Sequence, residues 1–129
     1  MTALKWLDQE EGFKDKPYFD TEGVATFGGG LTYITKEESD HIVQGRVYEI
    51  TKSLDWKYDW FGKLSDNRKV VIISMVYQLG MTGFSAFRKC VKNIEDGNFD
   101  KAAAEMKDSK AYRQTTNRWD RQIELFING

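Results

Sequence analysis

At 129 residues the chain is long enough to bury an apolar core as one domain, and 40% hydrophobic with 14% aromatic content excludes an intrinsically disordered segment. Lys plus Arg (19) nearly balance Asp plus Glu (20), with a pI near 5.9, so no basic field exists to hold a nucleic acid, and none is expected as a partner. One cysteine, Cys90, and one histidine, His41, exclude an internal disulfide and a Cys/His metal cluster, so neither metal nor cofactor is expected.

In chain order, Leu4, Trp6 and Leu7 mark a short first helix beginning after Thr2. It should end before Pro17, because the residue preceding a proline avoids the helical region, and this puts Glu11 at its C-terminal end. Lys5, Asp8, Glu10, Glu11 and Lys14 leave no apolar signal-peptide core, so no export signal is expected. Tyr18-Phe19, Asp20 to Gly23, and Val24 to Phe27 read as strand, turn and strand, with Gly23 supplying the positive φ of the turn. Gly28-Gly29-Gly30 predicts a bend that leaves the backbone open to close approach, and Leu31 to Ile34 a third short strand. A phosphate loop is excluded, since no Gly-Lys-Ser/Thr follows the glycines.

Thr35-Lys36-Glu37-Glu38 is a capping-box pattern that opens a connecting helix from about Lys36 to Ser53, with Ile42, Val43, Val47 and Ile50 inward. Trp56, Tyr58, Trp60 and Phe61 then predict an aromatic knot at a helix junction. Ser65 caps a helix over Asp66 to Leu79, and Thr82 or Gly83 opens another to about Asp96 that Gly97 ends. Asp100 to Asp108 is an Ala-rich helix, and Thr116 caps a last one with Trp119, Ile123 and Phe126 facing the core. The uncharged run Val70 to Phe87 is interrupted by Ser74, Gln78, Gly80, Thr82 and Gly83, so a buried central helix is a better account of it than a membrane span. Cys90 shares a helical stripe with Phe84, Phe87, Val91 and Ile94 and reads as a packed side chain.

The chemistry lies in the first thirty residues. Cleavage of a glycosidic bond commonly uses one carboxyl group to protonate the leaving oxygen and a second to steer water or stabilise positive charge on the sugar. Glu11 and Asp20 are the candidates, and each taken alone is more often a solvated surface carboxylate. The spacing Glu11, Asp20, Thr26 resembles the E-x8-D-x5-T signature of the phage-type lysozymes, the endolysins. Glu11-Gly12, Tyr18, Asp20-Thr21-Glu22-Gly23 and Thr26-Phe27-Gly28-Gly29-Gly30 stand around it in that family's order. Met75 to Gly83 is similar to the family's central-helix exit, and Gln114 to Arg118 to its C-terminal helix start, so the likeness spans nearly the whole chain.

The resemblance implies an α+β, mainly helical fold of one domain. A small antiparallel β lobe of about residues 12–50 would be joined by the connecting helix to a helical lobe of about 1–11 and 51–129. It implies hydrolysis of the β-1,4 bond between N-acetylmuramic acid and N-acetylglucosamine in peptidoglycan, with Glu11 as general acid in a partly desolvated site. Asp20 would orient water or stabilise the oxocarbenium character, Thr26 would position that water, and the outcome would be inverting. Arg118 matches the arginine that pairs with the catalytic Glu, although a neighbouring cation favours the ionised carboxylate and so opposes proton donation. Thr32, Tyr77, Gln78 and Glu105 fall where relatives line the cleft. Leu31 and Arg46 stand where relatives often carry a His/Asp pair, which implies altered lobe stability rather than lost chemistry. The protein would be a monomer that collects in the host cytoplasm and reaches the wall through a holin pore, causing host lysis. A lytic transglycosylase, which needs the Glu but not Asp20 and Thr26, and a wall-binding module without turnover are the alternatives.

Overall fold

Helix α1 runs from Ala3 to Glu11 in the computed structural model, which describes residues 1–129. Thr2 caps it, its hydroxyl accepting from the Lys5 N–H at 3.1 Å. Gly12 ends it at φ +67°, donating back to the Asp8 carbonyl at 3.0 Å. Strands β1 (Lys14–Phe19) and β2 (Ala25–Gly28) form an antiparallel hairpin with register Lys14 to Gly28, Tyr18 to Thr26 and Phe19 to Ala25. The pairing is irregular between Lys14 and Tyr18, where Pro17 brings no N–H to the ladder. A third strand does not form. Leu31 makes a single bridge to Phe27, and the chain leaves the sheet after it because no further residue pairs.

Helix α2 spans Lys36–Lys57, one turn longer than its pattern predicts. Its start is a reciprocal capping box: the Thr35 N–H donates to Glu38 Oε1 at 3.0 Å, and the Glu38 N–H to Thr35 Oγ1 at 3.1 Å. Bonding to the Thr35 side chain, and then to its main chain, holds the Glu38 carboxyl below the ordinary glutamate value. A carboxyl with a depressed folded pKa adds stability that is present above its unfolded pKa and is lost as pH falls through the folded value. Thr35→Ala is therefore expected to move the Glu38 titration upward and weaken the acid sensitivity of α2, as read by side-chain carboxyl NMR. Of the predicted inward residues of α2, Val43, Val47 and Ile50 are half-buried, Ile42 is exposed, and Leu54 alone is fully covered.

The chain divides into two units, Met1–Val43 and Gln44–Gly129. In the first, Thr26 is the one buried residue. The second is all helical and holds the apolar core, with Phe61, Ile72, Met75, Phe84, Met106, Trp119 and Phe126 essentially inaccessible. A short 3-10 turn, Phe61–Lys63, leads to α3 (Asp66–Ser85), capped by Ser65. Gly80, at φ +75° and ψ +166°, breaks α3 so that the piece after it is a separate short turn of helix. The predicted helix from Thr82 to Asp96 is interrupted too: the chain turns by 101° at Ala86-Phe87, and α4 occupies Arg88–Glu95. No single helix is long and apolar enough to cross a membrane.

Helices α5 (Phe99–Lys107), α6 (Lys110–Gln114) and α7 (Thr116–Asn128) complete the unit, α6 being a single turn with no pattern of its own in the sequence. Thr116 is the first residue of α7 rather than its cap. Its hydroxyl bonds back to the Tyr112 carbonyl at 2.8 Å, because α6 ends directly against α7 and offers that carbonyl. The far end of α7 is closed by Arg68, which donates to the carbonyls of Phe126 (2.9 Å) and Ile127 (3.3 Å) and lies over the Phe99 ring at 3.8 Å. Tyr58, Trp60, Phe61 and Phe84 interlock as expected of an aromatic knot, with Tyr58 and Trp60 stacked at 4.8 Å. Trp56 stands outside it, 88% exposed.

Candidate active site

Two turns and a helix end carry the candidate acid and base. Asp20 starts the hairpin turn, its N–H donating to the Val24 carbonyl at 2.9 Å and its own carbonyl accepting from Gly23, at φ +77°. Its Oδ1 accepts from the N–H groups of Glu22 (2.9 Å) and Val24 (2.8 Å), which locks the carboxylate against the turn. Oδ2 has no protein hydrogen bond and remains available to a ligand or water. Thr26 donates its hydroxyl proton to the Val24 carbonyl at 2.8 Å. The Val24 peptide unit therefore orients both Asp20 and Thr26, and the Thr26 oxygen keeps lone pairs that can accept from water.

Glu11 lies at the opposite end of the hairpin. Phe27 and Leu31 exchange two 2.8 Å main-chain bonds, closing Gly28-Gly29-Gly30 into a tight turn, with Gly28 at φ +57° and Gly30 at φ +79°. The Glu11 side chain rests directly on Gly30. A Cβ there would sit 2.6 Å from Glu11 Oε2, 2.7 Å from Cδ and 2.9 Å from Cγ. The predicted openness of the glycine backbone is thus used by the protein's own carboxylate. Gly30 was not among the expected site residues, because its contact with Glu11 joins positions nineteen residues apart.

Three residue steps, roughly 10 Å at about 3.3 Å per residue, separate the backbone at Gly28 from that at Ala25, next to the Asp20 turn. The hairpin thus carries one candidate carboxyl at each end. Glu11 is exposed, not partly desolvated as expected, and Gly30, on which its side chain rests, has no side chain to cover it.

The remaining predicted residues lie in the helical unit, apart from Thr32, which is exposed just beyond the Leu31 bridge. Arg118 is half-buried, donating to the Ser74 carbonyl (3.2 Å), Ser74 Oγ (3.0 Å) and Gln122 Oε1 (3.4 Å). Ser74 and Gln122 also bond one another. Neither was among the expected residues, though Gln122 stands out as a polar side chain between Trp119 and Phe126 on an otherwise apolar stripe. Gln78 donates to Thr115 Oγ1 at 3.1 Å, and its Oε1 is buried without a protein partner. Tyr77 is 47% exposed.

Glu105 is half-buried, and its charge reaches Cys90. Cys90 is itself 1% exposed, and burial, with the Glu105 charge adding to it, pushes its thiol up to about 12. A thiol reagent at pH 8 is expected to react with native protein at least about 100-fold more slowly than with a free cysteine. Denaturant should restore the rate, measured by thiolate absorbance.

Residues 8–121 match the model of the family described as phage lysozyme. "Probable T4-type lysozyme 1" of Dictyostelium discoideum is 33% identical over 130 residues, covering 98% of this chain and 71% of that protein. "Probable T4-type lysozyme 2" of the same organism is 38% identical over 69 residues, which is 54% of this chain and 41% of the relative. The "pre-baseplate central spike protein Gp5" of Enterobacteria phage T4 is 22% identical over 162 residues, spanning all of this chain and 28% of that protein. With the family model covering most of its length and a relative aligned nearly end to end, the chain belongs to the phage lysozyme family, and lysozymes are glycoside hydrolases.

Proposed function

We propose that the protein is a muramidase acting as an endolysin, hydrolysing the β-1,4 bond between N-acetylmuramic acid and N-acetylglucosamine in bacterial peptidoglycan. The observation that carries this reading is the Glu11 carboxyl seated on Gly30 at one end of a hairpin whose other end presents Asp20 Oδ2. Glu11 donates its proton to the glycosidic oxygen as the bond breaks. Bound sugar covers Glu11 and supplies the desolvation that the glycines do not. Asp20, with its Oδ1 held by two main-chain N–H groups, accepts the proton of the attacking water through Oδ2, and Thr26 Oγ1 accepts that water's second proton as a hydrogen bond. Attack on the far sugar face inverts the anomeric configuration.

The family's pattern assigns glycan contacts to Thr32 in the first unit and to Tyr77, Gln78 and Glu105 in the second, where Arg118, the family's supporting arginine, is held by Ser74 and Gln122. The protein acts as a monomer, needs no metal, and reaches the wall from the host cytoplasm when a holin opens the membrane, releasing phage by host lysis. Permeabilised Gram-negative cells should clear on addition of the protein, and the soluble products should carry reducing ends in mass spectrometry. An anhydromuramyl product would establish a transglycosylase instead, and pelleting with sacculi without clearing would establish a wall-binding module.

A further inference from the structure

Trp56 is 88% exposed at the end of α2, while Tyr58, Trp60 and Phe61 beside it in sequence are packed together. It forms one wall of a groove of about 470 Å³ lined by Glu49, Lys52, Ser53, Trp56, Lys57 and Met81, all within the helical unit. That volume lies within the roughly 300–1,000 Å³ typical of small-ligand sites. The lysines are directed rather than free. Lys57 Nζ donates to Ser85 Oγ at 2.8 Å and lies 5.5 Å from the Tyr58 ring. Lys52 Nζ lies over the Tyr48 ring at 5.2 Å and 4.0 Å from Glu49. Lys52 is thus partly neutralised, whereas Lys57 belongs to none of the ion pairs of the structure, so one fixed cation beside an uncovered indole has no internal counter-charge.

We propose that this groove is a second binding site for an anionic amino-sugar glycan, distinct in its residues from the hairpin site. A pyranose ring, whose flat C–H face matches the face of an indole, lies on Trp56, and Met81 provides apolar contact. A carboxylate on the glycan or its attached peptide pairs with Lys57, and Ser53 and Glu49 are placed to bond sugar hydroxyls. A lipid surface is the poorer occupant, since Lys57 is the one lysine of the groove outside the ion pairs, whereas holding an anionic bilayer takes a cluster of several basic residues. The choice of glycan rests on the reading of the protein as acting on peptidoglycan.

The test uses full-length Glu11→Gln protein, so that glycan binds without turnover, labelled with nitrogen-15. The Trp56 indole N–H signal is the one missing from the additional Trp56→Phe spectrum. Titration with the disaccharide tetrapeptide of peptidoglycan should shift both that signal and the Gly28 to Gly30 amides. Lys57→Gln should weaken binding read at Trp56 at least about 5-fold while changing the affinity for neutral N-acetylglucosamine trimer less than about 2-fold. Movement of the glycine amides with a still indole would overturn this inference and leave the proposed function intact, and no movement anywhere would overturn both. An indole that responds to phosphatidylglycerol vesicles but not to the tetrapeptide, or binding there that is indifferent to Lys57→Gln, also overturns it.

Discussion

Glu11→Gln is expected to lose lytic activity by a factor of about 10²–10⁴, the range that a positioned general acid contributes. The amide keeps the shape of the side chain and removes the transferable proton. Because Glu11 is exposed and its close neighbour is the Gly30 main chain, the substitution should leave stability within about 0.5 kcal/mol of wild type. The two effects are therefore separable by turbidity kinetics beside thermal unfolding. Lysis at a near-normal rate would remove Glu11 from the mechanism, and loss of activity with a matching loss of fold would leave its role structural.

Gly30→Ala should produce the second largest effect, and for a different reason. The new Cβ would meet Glu11 at 2.6–2.9 Å, inside any tolerable separation, at a residue held at φ +79°. The backbone term costs about 1–2 kcal/mol for an L side chain in a left-handed conformation. The collision itself is relieved cheaply, because the atoms in the way are the far end of a flexible side chain. What is lost is the position of the carboxyl, and misplacement by about 1 Å can cost roughly 100-fold in rate. Gly97→Ala is the control. Gly97 has φ +76° with nothing within 4 Å, so it carries the backbone strain without touching Glu11. Gly30→Ala should therefore lose activity far in excess of Gly97→Ala at comparable stability. Equal activity in the two variants would show that the Glu11 contact has no role in catalysis.

The larger loss in Gly30→Ala would make Gly30 a positioning residue. Its lack of a side chain allows a carboxyl from the end of a helix to lie on the turn that follows β2. Local conformation at Gly12, Gly23, Gly28 and Gly30, all at positive φ, thus decides where the chain reverses and so which atoms meet.

Most of this molecule was legible in short-range chemistry. The caps at Thr2, Thr35 and Ser65 are each defined by a hydroxyl within three residues of the N–H it accepts from, so the first, second and central helices begin where the sequence puts them. The Asp20 turn is equally local, closed by bonds spanning two and four residues. The apolar stripe of α7 needed only the helical period. What short-range pattern could not supply is everything set by a distant partner. Whether Leu31 to Ile34 forms a strand depends on a neighbour to pair with, and there is none beyond Phe27. The break between α3 and α4 at Ala86-Phe87 carries no glycine or proline to announce it. The exposure of Trp56 beside packed Trp60 follows from which side of a helix junction the core occupies. The sequence by itself determined the hairpin and the starts of the first, second and central helices, because each rests on atoms a few bonds or one turn apart. Only the tertiary structure decided that Glu11 rests on Gly30, that Ser74 and Gln122 hold Arg118, and that Trp56 faces solvent, because those meetings join residues that the chain alone does not bring together.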